Sequence, residues 1–289
     1  MHGKVAIVTG ATSGIGRSTA FGLARLGASL GLVCRDAARA EETAREIREQ
    51  TGNAAVDVFL ADLASQAQIR RVAGRILDRF PHIHVLINNA GVVNLQRSTT
   101  EDGIETVFAV NHLAYFLLTH LLLERLRESA PSRIVNVASD AHKFVSGVNF
   151  DDVGFASGYK AMKVYGHSKL ANVLFTYELA RRLDGTGVTA NCVHPGAVAT
   201  GLGKNNGGWA KVLIRMLAPL FRTPDRGAET TLHVATSPAL EGVTGRYFAS
   251  SREARSSAAS HDRDAAGRLW ELSVELTHPE RRTPLGAQA

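Results

Sequence analysis

A doubly wound α/β fold on one parallel sheet is what this sequence predicts, and three observations lead there. Short apolar runs rich in β-branched residues alternate with longer stretches of helical periodicity along nearly the whole chain. The first run, Val5-Ala6-Ile7-Val8, is continuously apolar, as suits a strand covered on both faces. That run ends in a glycine-rich turn, Gly10 to Gly16, directly ahead of a segment with few helix breakers.

Seven strands are predicted at 5–9, 29–34, 55–60, 85–88, 133–138, 188–193 and 245–248. Helices are predicted at 17–26, 37–50, 66–80, 104–127, 165–183 and 226–236, each lying between two strands as a parallel crossover requires. No repeat, low-complexity tract or linker interrupts the pattern, so residues 1–289 read as one domain. At 45% hydrophobic and 21% charged, the chain has ample material for a large core.

Composition also sets limits. No uninterrupted apolar run approaches the roughly 18 residues of a membrane span, and a strand starting near Lys4 leaves no room for a leader or anchor ahead of it. Cys34 and Cys192 fall in interior strands and read as small core residues, neither a disulfide nor a metal site, which points to a reducing, cytoplasmic setting. The net charge of +6 invites a nucleic-acid reading. The arginines, however, are scattered among acids on helical segments, with no aromatic-plus-basic cluster, so nucleic acid is not the expected partner.

Strand, glycine turn and helix together form a phosphate-binding layout: the turn brings backbone close to an anion, and the free N–H groups of the helix start point at it. The spacing Gly10, three residues, then Gly14-Ile15-Gly16 departs from the common G-x-G-x-x-G dinucleotide fingerprint. Two further stretches follow in order. Asn88-Asn89-Ala90-Gly91 ends the fourth strand, and Tyr165-Gly-His-Ser-Lys169 leads into a long helix whose apolar stripe is Leu170, Val173, Leu174 and Tyr177. Tyr165 and Lys169 share a helix face one turn apart. A free tyrosine, with a pKa of about 10, exchanges protons poorly at neutral pH. A neighbouring ammonium lowers that value and makes the hydroxyl a workable general acid or base for an alcohol–carbonyl pair. Tyr159 and Lys163 repeat the spacing, but they follow the flexible Ala156-Ser-Gly and lie ahead of the long apolar-periodic helix. Ser139 closes the fifth strand, where open α/β sheets bind ligands.

T-G-x-x-x-G-I-G, N-N-A-G and Y-x-x-x-K in this order resemble the short-chain dehydrogenase/reductases, and the resemblance covers essentially the whole chain. Cys34-Arg-Asp, Asn111-His-Leu, Asn149-Phe-Asp-Asp, Ser168-Lys-Leu-Ala-Asn and Gly185-Thr-Gly-Val-Thr-Ala-Asn are similar to the retinol-dehydrogenase-like branch. The resemblance implies a Rossmann fold and a nicotinamide cofactor. Within it, Gly10, Thr12, Ser13, Gly14, Ile15, Gly16 and Arg17 would form the cofactor loop, with Asp62 and Leu63 at the adenine. Asn89, Ala90 and Gly91 would line the cofactor's path, and Pro195, Gly196, Val198 and Thr200 would meet the nicotinamide carboxamide. Ser139 would hold the substrate oxygen, standing alone where many relatives have paired serines. Tyr165 would transfer the proton, Lys169 would lower the tyrosine's pKa and hold the nicotinamide ribose, and Asn111 would support a proton relay. A homodimer or homotetramer fits the resemblance.

Cofactor preference is set at the end of the second strand, where an acid favours NAD(H) and a cation favours the 2′-phosphate of NADP(H). Arg35 comes first, Asp36 next, and Arg17 adds a second cation, so NADP(H) is the expected cofactor with NAD(H) the alternative. His142 and His194, with no acid partner at motif spacing, read as hydrogen-bonded structural residues. Residues 201–208 are glycine-rich and polar; Trp209, Leu213, Met216 and Phe221 follow. Residues 201–225 therefore read either as a mobile segment with an apolar face over the site, implying a lipophilic alcohol or carbonyl substrate, or as a helix packed on the core. The sequence leads to an oxidoreductase interconverting an alcohol and its ketone or aldehyde; the competing reading is a nucleotide sensor of the same fold with little turnover.

Overall fold

The structure is a computed structural model, and it describes residues 1–198 and 222–277. The predicted strands form, with small shifts at their ends: β1 (Val5–Thr9), β2 (Ser29–Cys34), β3 (Val56–Leu60), β4 (Val85–Asn88), β5 (Ser132–Val137), β6 (Val188–His194) and β7 (Tyr247–Ala249). An eighth, β8 (Arg252–Glu253), returns antiparallel on β7, so the sheet has eight strands in the order β3-β2-β1-β4-β5-β6-β7-β8 and is not the all-parallel seven predicted. Two residues are too few to leave a periodic signal in the sequence.

The helices are α1 (Gly14–Arg25), α2 (Ala37–Thr51), α3 (Gln66–Arg79), α4 (Thr106–Glu128), α5 (Ala161–Arg182), α6 (Pro224–Thr236) and α7 (Arg263–Thr277). Three depart from expectation. Helix α1 starts at Gly14, inside the glycine turn. Helix α5 starts one turn ahead of Tyr165. Helix α7 was not predicted at all.

Strand β1 shows why its sequence is continuously apolar. Ala6 and Val8 join a core layer with Phe21, Ala40 and Val234 beneath α1, α2 and α6, while Ile7 joins the opposite layer with Ile69, Phe116 and Leu179 beneath α3, α4 and α5. Alternate side chains enter two different cores, so both faces of the strand are apolar up to Thr9, whose hydroxyl is hydrogen-bonded. Cys34 and Cys192 are free and buried, and burial pushes their thiols up to about 11 and about 12.

Helix α4 is long and apolar enough to cross a membrane by length and composition, which counting uninterrupted apolar runs did not reveal. Most of that stretch is buried inside the protein, in the core layer under the sheet. Its Ala109–Leu113 turn is π-helical. Strand order reverses between β1 and β4, which pair in parallel side by side. Their carboxyl ends therefore open a crevice where an open α/β sheet binds its ligand.

Candidate active site

An elongated cleft of about 420 Å³ occupies that crevice. Its floor begins at the glycine turn. Gly10 and Gly14 have φ of 68° and 53°, a region costly for any residue with a Cβ. A Cβ on Gly10 would sit 2.9 Å from the Ala90 Cα, and one on Gly16 would overlap the Asn89 side chain and the Gly10 carbonyl. Ser13 N-caps α1 without any side-chain hydrogen bond to the helix, so the first-turn N–H groups stay uncapped. Thr12 and Ile15 line the cleft beside them. Glycine cradle, bare helix start and elongated shape fit a dinucleotide.

The end of β4 is tied to this turn. Thr9 Oγ1 accepts the backbone N–H groups of Asn89 and Ala90 at 2.9 and 3.1 Å, and Asn89 Nδ2 donates to the Thr9 carbonyl at 2.8 Å. A Cβ on Gly91 would lie 3.3 Å from Asn111 Oδ1 and 3.6 Å from Lys169 Nζ, so the glycine keeps that approach open. Below, Asn88 donates to Thr119 and Asn136, and Asn136 to Thr176, each at 2.9 Å. This buried ladder links α4, two strands and α5, and it fixes the strand ends that carry the site.

At one end of the cleft stand Arg35, Asp36, Arg39, Asp62 and Leu63. Asp36 N-caps α2, its Oδ1 accepting the Arg39 N–H at 3.1 Å. Asp62 accepts the Ala64 N–H at 2.9 Å and lies 3.9 Å from Arg35. The expected second cation is corrected here. Arg17 lies outside the cleft, pairing with Glu46 of α2 at 2.5 Å and stacking over Phe21. Arg39 takes the place instead, its Nη2 donating to the Thr12 carbonyl at 3.1 Å beside the glycine turn.

At the other end Ser139, Tyr165 and Lys169 converge from β5 and α5, with Pro195, Gly196 and Val198 along the adjoining wall. Ser139 Oγ accepts the Ala141 N–H at 3.2 Å and stands beside the Tyr165 hydroxyl. Burial pushes Tyr165 up to about 12, with the Ser139 hydroxyl pulling the other way. Lys169 Nζ stands 5.7 Å from the Tyr165 ring, and burial is the largest influence on the hydroxyl. Burial also lowers Lys169 itself to about 8. Its ammonium donates to the Val137 carbonyl at 2.9 Å and rests over the Tyr115 ring at 5.6 Å. Tyr115 is buried and bonds the Ala90 carbonyl at 2.8 Å.

Asn111 is not in the cleft wall but directly behind it. The π-helical turn lets its side chain grip both backbone groups of Val92, accepting from N–H at 2.7 Å and donating to the carbonyl at 3.0 Å, while Nδ2 also reaches Ser168. Tyr159 points elsewhere, its hydroxyl on the Asn94 carbonyl. Thr200 and residues 201–221 of the apolar segment lie outside the described residues. Sequence reasoning missed Arg39, Tyr115, Asn94 and Thr106; the last two line the cleft from the loop after β4 and the start of α4.

A dinucleotide cleft that ends in a serine–tyrosine–lysine cluster defines an NAD(P)-dependent dehydrogenase acting on CH–OH groups. The chain belongs to the short-chain dehydrogenase family, whose model matches residues 4–211. It is 47% identical over 274 residues to retinol dehydrogenase 12 of Mus musculus, covering 95% of this chain and 86% of the relative. Among solved structures it resembles an uncharacterised protein from Mycobacterium paratuberculosis, at TM-score 0.78 and 33% identity over 96% of this chain and 94% of the other. It also resembles the L-sorbose reductase of Gluconobacter frateurii, solved with NADPH and L-sorbose, at TM-score 0.69 and 25% identity over 86% and 95% of the two chains.

Proposed function

We propose that this protein is an NADP(H)-dependent oxidoreductase that interconverts a lipophilic alcohol and its aldehyde or ketone. The observation that carries this reading is the lining of the cleft: Ser139 beside the Tyr165 hydroxyl at one end, and Arg35 with Arg39 at the other. The glycine turn would hold the pyrophosphate, Arg35 and Arg39 the 2′-phosphate, and Lys169 the nicotinamide ribose. When bound, the nicotinamide supplies or accepts the hydride, which no side chain can do.

The chain's own residues handle the proton. Tyr165, held protonated at neutral pH by burial, is poised to give its proton to a carbonyl oxygen in the reductive direction. The Ser139 hydroxyl holds that same oxygen. Lys169 is anchored by Val137 and the Tyr115 ring, so its charge stays beside the tyrosine. Asn111 fixes the Val92 backbone and touches Ser168, one residue from Lys169, which supports its place behind a proton relay.

Two observations support a lipophilic substrate. Phe144, in the turn after Ser139, is 70% exposed, and Met162, one turn ahead of Tyr165, is 53% exposed, so large apolar side chains are exposed close in the chain to the reacting residues. The relative named a retinol dehydrogenase points the same way. Two buried, unpaired cysteines suit a reducing, cytoplasmic setting.

The test is NADPH oxidation, followed spectrophotometrically, with straight-chain aldehydes from acetaldehyde to decanal, cyclic ketones and short sugars. Turnover that strengthens with chain length supports the reading. Tight NADPH binding with no turnover on any carbonyl would favour the sensor.

A further inference from the structure

Two imidazoles, one buried and one half-buried, grip one peptide unit beside the reacting end of the cleft. The unit joins Ser139 to Asp140. Its carbonyl oxygen, on Ser139, accepts from His142 Nδ1 at 2.7 Å, and its N–H, on Asp140, donates to His194 Nδ1 at 3.2 Å. The plane of a peptide follows from where its O and N–H point. Holding both therefore fixes the backbone from which the Ser139 side chain projects.

The bonds also dictate protonation. His142 Nε2 accepts the backbone N–H of Ser257 at 3.0 Å, so that nitrogen carries no proton and Nδ1 must carry it. His194 has the reverse arrangement, with its lone pair at Nδ1 and its Nε2 3.7 Å from Asp140 Oδ2. A second proton acts differently on the two rings. His142 would keep its bond to the Ser139 carbonyl and lose only that from Ser257, whereas His194 would set an N–H against that of Asp140 and lose its hold on the peptide.

We propose that His142 and His194 are positioning residues which together orient Ser139 for substrate, and that protonating His194 breaks the hold on the Asp140 N–H and lowers turnover in acid. This rests on the reading that Ser139 holds the substrate oxygen.

The surroundings favour the neutral rings. His142 is fully buried, and burial is the main influence lowering it from its ordinary value. Lys143 lowers it further, while the Ser139 carbonyl and Asp140 oppose. The Tyr247 ring from β7 stands 5.1 Å from it. His194 is lowered first by burial and then by Lys143, His142 and Arg222, with Asp140 again opposing. The Asp140 carboxylate is shared, accepting from Lys143 Nζ at 2.8 Å and from the Tyr247 hydroxyl at 3.0 Å. Its hold on an imidazolium is therefore divided. Neither ring lines the cleft, so both act through Ser139.

Carbonyl reduction isolates the effect, because Tyr165 is the proton donor there and acid keeps it protonated. With decanal and saturating NADPH, the parent's kcat should fall along an acid limb that lies below the ordinary imidazole range, with near-UV circular dichroism unchanged. Asparagine cannot titrate, yet it offers Nδ2 to the Ser139 carbonyl in H142N and Oδ1 to the Asp140 N–H in H194N. The double variant H142N/H194N should keep kcat within about fivefold of the parent at about pH 7.5 and lose most of the acid limb. H142A, which leaves the carbonyl unheld, should lower kcat about tenfold at the same pH, with the KM for NADPH unchanged.

A parent profile that stays flat for as long as the near-UV circular dichroism holds, or an acid limb that persists in the double asparagine variant, overturns the proposal. So does an H142A variant that turns over at the parent rate; should H142A fail to fold, the asparagine profile decides alone. S139A separates the two levels: parent-like turnover there removes the role given to Ser139 itself, whatever the histidines do.

Discussion

The charge at the adenosine end of the cleft yields a quantitative expectation for cofactor choice. Substituting Arg35 or Arg39 by alanine removes a cation placed to meet a 2′-phosphate. A charge-assisted hydrogen bond contributes on the order of 1.5–3 kcal/mol. The Arg35 side chain is 65% exposed and already lies 3.9 Å from Asp62, so water screens it and part of its charge is shared. About 1–1.5 kcal/mol is the appropriate figure for such a site. That converts to roughly five- to tenfold in affinity for R35A. Arg39 is better held, by the Thr12 carbonyl, and R39A should cost a similar amount. The double variant should lose about 30- to 100-fold for NADPH if the two act independently. NADH, which carries no phosphate there, should bind all four proteins alike. Fluorescence titration of both dinucleotides gives the ratio of dissociation constants directly. A parent that prefers NADH, or a ratio that stays fixed in R35A/R39A, would refute the reasoning and give the preference to Asp36.

Two further outcomes follow from groups beside Tyr165. Lys169 is lowered to about 8 in the folded chain, whereas the unfolded chain holds that proton to about 10.4, so between these values the unfolded state binds more protons and the lysine's contribution to stability rises with pH. Cys34 and Cys192, both raised, pull the parent's own curve the other way over part of that range. Urea unfolding of parent and K169M should therefore be compared as a difference, which should move in the parent's favour from about pH 8 to about pH 10; a constant difference would contradict the lowered lysine. For Tyr159, whose hydroxyl bonds the Asn94 carbonyl instead of Ser139, Y159F should keep kcat within about threefold of the parent in the same spectrophotometric assay.

What the sequence made legible divides along physical lines. The parallel sheet showed itself because every interior strand is buried on both faces, and a short apolar run is all that such a strand permits. Ser139, Tyr165 and Lys169 were readable because strand ends and helix spacing are local properties of the chain. Arg17 was misplaced because its partner, Glu46, lies 29 residues away on another helix. Arg39 was hidden among the many arginines of α2, where one cation on a polar helix face looks like any other. The π-helical turn at Asn111 leaves no mark in an apolar stretch. Helix α7 was missed because its buried stripe includes Ser273 and Thr277, polar residues that weaken the periodic signal. Ser273 is buried because it meets His112 of α4, 161 residues earlier. The cation near Tyr165 was visible in the sequence, while the burial that raises its hydroxyl was not.

The central claim is that the Tyr165 hydroxyl transfers the proton, and one substitution tests it most directly. Y165F removes a single oxygen from a buried ring beside Ser139 and leaves the cofactor cradle untouched. General acid–base help of this kind is worth about 10²–10⁴ in rate. The measurement is kcat for carbonyl reduction in Y165F, taken together with its dissociation constant for NADPH. The account predicts a kcat lower by about two to four decades with NADPH binding within about threefold of the parent. Turnover in Y165F within about tenfold of the parent, or a dead enzyme only when Tyr159 is replaced, would contradict it.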